Sequence, residues 1–200
     1  MTALTEYFKS RASGRAVAGA VIFALLVVLV QQTLLVPHFQ AVTGFKPLDV
    51  QFPLSRYTIA IQLGAYGPDA GAAYLPFLLV DMILAVASAT ALVLLWAWLF
   101  RQQRTRLFSF LERGAVILVP AYTLGCDIAE NIAFARLIGG LSGESYVETI
   151  EFAVTVHSVR GALLDVQVIL TVLFVMLFGL AAGKQERSGA LRGETAINGE

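Results

Sequence analysis

Four apolar runs decide what this chain can become, because each is long enough to cross a lipid bilayer as a helix, for which about 20 residues suffice. They extend from about Ala16 to Val36, Tyr74 to Phe100, Gly114 to Ile138 and Thr155 to Ala182. Inside hydrocarbon every backbone polar group must be bonded within the structure, and a helix does this by itself. The expectation is therefore all-α: a four-transmembrane-helix up-down bundle forming a single domain over residues 1–183, with helices at about 16–36, 74–100, 114–138 and 155–182. The composition agrees, with only 14% charged residues where soluble domains carry about 25%. Lys9, Arg11 and Arg15 precede the first run as in a signal peptide. A signal core is only about 7–15 residues long, however, and no small-residue cleavage site follows, so this run reads as a retained helix.

Basic residues set the orientation. Lys9, Arg11 and Arg15 precede the first helix, Arg101, Arg104, Arg106 and Arg113 fill the link between the second and third, and Lys184, Arg187 and Arg192 follow the fourth. The other side has Lys46 and Arg56 in a long loop, and Glu144, Glu148 and Glu151 after the third helix. The positive-inside bias then predicts a multi-pass protein of the bacterial cytoplasmic (inner) membrane with cytoplasmic N- and C-termini. The 184–200 tail, polar and without an apolar face, reads as disordered. Fourteen basic residues balance fourteen acidic ones, and no basic stripe points to nucleic acid.

The 37–73 segment, extracytoplasmic in this orientation, is too long for a simple connection. Ser55 is placed to N-cap a short helix that Gly64 ends. Its residues Tyr57, Ile59, Ile61 and Leu63 are apolar, suiting a lid over the bundle mouth or a helix on its surface.

Ionisable groups inside the bilayer cost about 2.5–3.5 kcal/mol each, and here they gather in the half nearer the long loop. Asp127, Glu130 and Asn131 stand at i, i+3 and i+4, on one face of the third helix. Two carboxyl groups one turn apart in low dielectric call for a shared proton or an arginine. The second helix offers Tyr74 and Asp81, the fourth His157, Arg160 and Asp165, and the first Gln31 and Gln32. The opposite halves, such as Val86 to Phe100, are nearly pure hydrocarbon. The pattern predicts a polar cavity open toward the outer leaflet and closed below by an apolar plug.

Leu48-Asp49, Arg56-Tyr57, Gly64, Tyr74, Asp81 and Asp127-x-x-Glu130-Asn131 together resemble an uncharacterised bacterial family of four-helix integral membrane proteins. The resemblance covers most of residues 48–165. It implies that the intramembrane polar cluster is a site and supplies no reaction.

Three functions fit. One is acid–base catalysis on a lipophilic, isoprenoid- or sterol-like substrate, with Glu130 or Asp127 carrying the proton, Asn131 orienting a substrate oxygen, Arg160 countering negative charge and Asp81 in support. Tyr74, His157, Asp165, Gln32 and Tyr57 would line the ligand. The second is a binder or transporter of a small amphipathic molecule; without internal repeats, transport would call for a homodimer, for which Ala16, Ala20 and Ala24 offer a close-packing stripe. The third is a structural network ordering the helices, with Arg160 pairing with Asp127 or Glu130. Membrane lipids are the expected surroundings in each case. No cofactor motif is present: neither a nucleotide-binding glycine pattern nor a Gly-x-Ser-x-Gly elbow. The Glu-x-x-His and His-x-x-x-His spacings of metal-binding helices are absent too, so no metal is expected. Cys126, the single cysteine, reads as packing.

Overall fold

A computed structural model describes residues 3–102, 116–140 and 143–197. The arginine link with Arg104, Arg106 and Arg113, and the expected start of the third helix at Gly114, lie outside them. Among the described residues there is helix and no strand. Helix α1 (Ala3–Arg11) precedes the long helix α2 (Gly14–Thr43). A 3-10 turn (Leu48–Val50) and helix α3 (Arg56–Ala65) follow. Then come α4 (Ala70–Gln102), α5 (Val116–Ile138) and α6 (Glu144–Ile197). Among the described residues, four helices are long and apolar enough to span a membrane: α2, α4, α5 and α6.

The spans are longer than their apolar runs. Helix α2 does not stop at Pro37 but continues to Thr43, ending at Gly44, whose φ of 77° lets it accept the left-handed cap. Proline inside a helix removes one ladder bond and crowds the preceding turn. Here a π-turn over Gln31–Leu35 absorbs it, the Val36 N–H reaching back to Gln31 O. Helix α6 starts at Glu144 rather than near Thr155, because Glu148 and Glu151 are good helix formers whose charged ends suit the first turns. The same helix runs on through Ile197, with no proline among Gln185, Glu186 and Arg187 to stop it. In α3, Ser55 caps as expected, accepting from Thr58 N at 3.1 Å, and the helix reaches Ala65, one residue past Gly64.

Helix α4 packs against α2 on one side and α5 on the other, and α5 packs against α6. Two apolar clusters form. The loop-end cluster joins Val36, Phe39, Leu48, Leu54, Ile59, Tyr74, Phe77, Phe134 and Ile150. The terminal-end cluster joins Ala12, Trp96, Leu99, Phe100, Ile117 and Phe174. Along α4, α5 and α6 the polar residues of interest fall between the two. Large side chains such as Leu25, Leu26, Val168 and Ile169 point outward, which an apolar solvent permits.

Candidate functional site

Between the apolar clusters lies a buried polar layer to which all four spans and the long loop contribute. Asp81 on α4 accepts from Gln31 Nε2 of α2 and from Asn131 Nδ2 of α5, each at 2.7 Å and each on a separate oxygen. Both amides are primary donors, so this carboxylate is held from two sides and fixes the rotation of three helices at one depth. Gln31 is the first residue of the π-turn.

Arg160 on α6 is the second hub. Its Nη1 donates to Asp127 Oδ1 at 2.8 Å, and its Nη2 donates to the main-chain carbonyl of Asp49 at 2.9 Å. Its Nε stands 3.0 Å from Glu130 Oε2, an ion pair whose N–H is not aligned for a hydrogen bond. A planar guanidinium serves three partners in fixed directions, which a lysine cannot do. The i, i+3 spacing of Asp127 and Glu130 presents both to this one cation.

Glu130 also meets His157. Their contact, Oε1 to Nδ1, is 2.6 Å in a site where both side chains are almost wholly buried. Because Glu130 is paired with Arg160 through its other oxygen, it accepts here and Nδ1 donates. Arg160 Nη2, 3.4 Å from the same Nδ1, is then a close approach of two donors. The imidazole is left with Nε2, a buried atom without a hydrogen-bond partner. The Phe52 ring lies over the imidazole, centroids 4.8 Å apart, and rests on Gly161, where an added Cβ would come within 2.6 Å of Phe52 Cζ. Glycine at 161 is what lets the loop close this far.

Asp49 is the residue that sequence reasoning passed over as a site. The 3-10 turn buries it at 6% exposure, with Tyr74 Oη accepting from the neighbouring Leu48 N–H at 3.2 Å. Burial first, then the adjacent charge of Asp81, push its carboxyl well above the usual carboxylate range, Arg160 opposing. Asp49 Oδ1 has no donor, while the two carboxyl groups lie within hydrogen-bonding reach of each other. A proton on Asp49, shared with Asp81, satisfies both.

Asp81, Asp127, Glu130, Asn131, His157 and Arg160 are thus brought together, with Tyr74 beside them through Leu48. Three expected residues are not. Gln32 is exposed, the inward amide being that of Gln31. Asp165 is exposed on α6, five residues beyond Arg160 and turned away from it. Tyr57 is 67% exposed, near the ring of which Arg56 lies. The layer also differs from an open polar cavity: Glu130, His157, Asp81 and Asn131 are buried and bonded to neighbours, and Leu48, Leu54 and Phe39 pack above them. Asp127 and Arg160 are its most accessible charged members, at 15% and 11% side-chain exposure. Toward the terminal end, Gln167 Nε2 donates to Thr123 Oγ1 as a separate buried pair. Among the described residues no group of acidic, histidine and cysteine side chains is arranged to hold a metal ion.

In comparisons with known proteins, no family model, no curated protein and no solved structure matches this chain.

Proposed function

We propose that this chain is an up-down bundle in a bacterial cytoplasmic membrane, termini inside and long loop outside, whose polar layer carries out acid–base chemistry on a lipophilic substrate. The distribution of lysine and arginine supports the orientation. The observation that carries the chemistry is the Glu130–His157 pair. A carboxylate on Nδ1 fixes the ring and leaves Nε2 as the atom where a proton is gained or lost. A buried Nε2 with no partner is costly as pure structure and useful as an acid–base position.

Asp127, one turn from Glu130 and partly accessible, is the second proton carrier, and Arg160 between them balances charge as protons move. A double-bond shift in an isoprenoid- or sterol-like molecule fits this pair. One proton passes from Nε2 to the end carbon of the double bond and another leaves, for Asp127, the carbon on the far side of the resulting cationic centre; the double bond moves by one position and substrate and product have the same composition. The substrate reaches the layer when Phe52 moves aside.

Chromatographic separation with mass spectrometry after ozonolysis, which locates double bonds, of lipids from membranes containing wild type, His157→Gln or Glu130→Gln tests this. The expected result is a lipid present in unconverted form with both variants and as an isomer with wild type. Identical lipid profiles from variants that fold normally would remove the enzymatic reading. One observation favours a second reading, a network that only orders the helices: each span and the loop places a bonded polar group in this layer. Under that reading Glu130→Gln lowers the melting temperature and leaves the lipids unchanged.

A further inference from the structure

The loop is tied to the bundle by a contact that only a proton makes attractive. Asp81 has both oxygens occupied as acceptors, one by Gln31 and one by Asn131. Asp49, arriving from the loop, brings a second carboxyl to the same place, with Oδ1 buried and lacking a donor. Two carboxylates in contact repel, and in a buried site the repulsion is weakly screened. A protonated Asp49 donates to Asp81 instead. The other tie at this residue is Arg160 Nη2 on the Asp49 carbonyl, with Nη1 4.0 Å from Asp49 Oδ2.

We propose that Asp49 is a proton-operated latch: with its proton shared with Asp81 it holds the Leu48–Val50 turn down, and loss of that proton releases the turn and with it Phe52, uncovering His157. The proposal rests on the functional reading only for the importance of what is uncovered; the latch itself is a property of the loop. The charged and titratable groups facing Asp49 are Asp81 and Tyr74 from α4, Glu130 from α5 and Arg160 from α6. Asp127 is bonded to Arg160 Nη1, the nitrogen that also approaches Asp49 Oδ2. Arg160 holds Asp49 by its carbonyl and is already shared with Asp127 and Glu130, so it offsets only part of a new charge beside Asp81.

The sign follows from linkage. Asp49 binds its proton more tightly in the closed form than in the open one, because burial and Asp81 raise its pKa there. The closed form is therefore fully favoured at low pH and loses stability as pH rises through the closed-state value, the opening constant growing up to about tenfold per pH unit. Phe52 stands only three residues from Asp49 and owes its position to this turn and to the bare surface of Gly161.

Hydrogen–deuterium exchange on the full chain in lipid nanodiscs, from about pH 5 to about pH 9 to bracket a raised carboxyl, reads the latch. The reporters are the amides of Leu48, Val50 and Gln51, bonded to Tyr74 Oη, Pro47 O and Leu48 O. After correction for intrinsic exchange, their protection in wild type should fall at least about tenfold. Asp49→Asn, which donates to Asp81 without a titrating proton, should stay protected throughout. Asp81→Asn removes the repulsion and should also flatten the profile, and slow exchange in α4 and α5 certifies the fold of each variant. Flat protection in wild type, or an equal fall in Asp49→Asn, overturns the latch. A normal latch profile in His157→Gln together with an unchanged lipid profile would instead reject the catalytic reading and keep the latch.

Discussion

The two halves of the bundle are held by different physics. At the terminal end Trp96, Leu99, Phe100, Ile117 and Phe174 interlock as rings and aliphatics, with Trp96 and Phe174 edge to face at 5.3 Å. The Trp96 Nε1–Thr171 Oγ1 bond at 2.9 Å and the Arg101–Ala12 carbonyl bond at 3.0 Å are among the directional contacts there. Toward the loop end, an apolar cluster of its own overlies a layer whose order rests on carboxylates, amides and one guanidinium with fixed partners. Since lipid tails are as apolar as leucine, hydrocarbon packing between helices in a membrane has little driving force beyond shape. Polar contacts have no alternative partner in lipid and so specify which helix faces meet. A half made of shape should tolerate conservative changes, and a half made of directed charge should not.

Substitutions at the two hubs separate these cases most strongly. Arg160→Gln leaves Asp127 and Glu130 without their cation and is expected to destabilise by about 3–5 kcal/mol, the cost of breaking a buried pair. Arg160→Lys should recover only part of that, because an ammonium cannot reach Asp127, Glu130 and the Asp49 carbonyl together. Thermal unfolding in detergent micelles measures both, and full rescue by lysine would mean that charge alone matters. Next in size is Gln31→Leu, which strips one donor from Asp81 and should cost about 1.5–3 kcal/mol. The neighbouring Gln32→Leu should be neutral.

At the terminal end Trp96→Phe loses the bond to Thr171 and some volume, an expected about 0.5–1.5 kcal/mol, visible as a small drop in melting temperature. A loss as large as that of Arg160→Gln would break the contrast between the halves. The smallest effect on stability belongs to Gly161→Ala, about 1 kcal/mol at most, since Phe52 is a side chain that can swing away. Its consequence is local: loss of the Phe52–His157 contact, read as increased reactivity of His157 toward diethyl pyrocarbonate with no matching change in melting.

Much of this was legible in the residues themselves. Four apolar runs gave four long helices, and the i, i+3, i+4 spacing put Asp127, Glu130 and Asn131 on one face. Arg160 was the evident cation for them, and it meets both acids. What periodicity hides is which of two adjacent residues turns inward next to an irregular turn: the π-turn at Gln31–Leu35 makes Gln31, not Gln32, the partner of Asp81. Asp49 was hidden for another reason. A loop carboxyl reaching residues more than thirty positions away in sequence leaves no local pattern, and its signal was only that an acid stood beside Leu48 in an otherwise apolar stretch. Asp165 failed on helical phase, lying five residues past Arg160 and so about 140° around the helix. The long first and last helices were under-read because hydropathy marks the apolar length, whereas Glu144 to Glu151 extend α6 through charged helix formers.

The central claim is that Glu130 holds His157 so that Nε2 alone exchanges its proton. Selective 15N-histidine labelling of the His38→Gln protein leaves a single imidazole, whose two nitrogens can be followed by NMR across pH. The account predicts that Nδ1 carries a proton, bonded to Glu130, and that this tautomer preference is lost in Glu130→Gln. A protonated Nε2 with a bare Nδ1 would contradict it, since the carboxylate would then be facing the wrong nitrogen for the chemistry proposed.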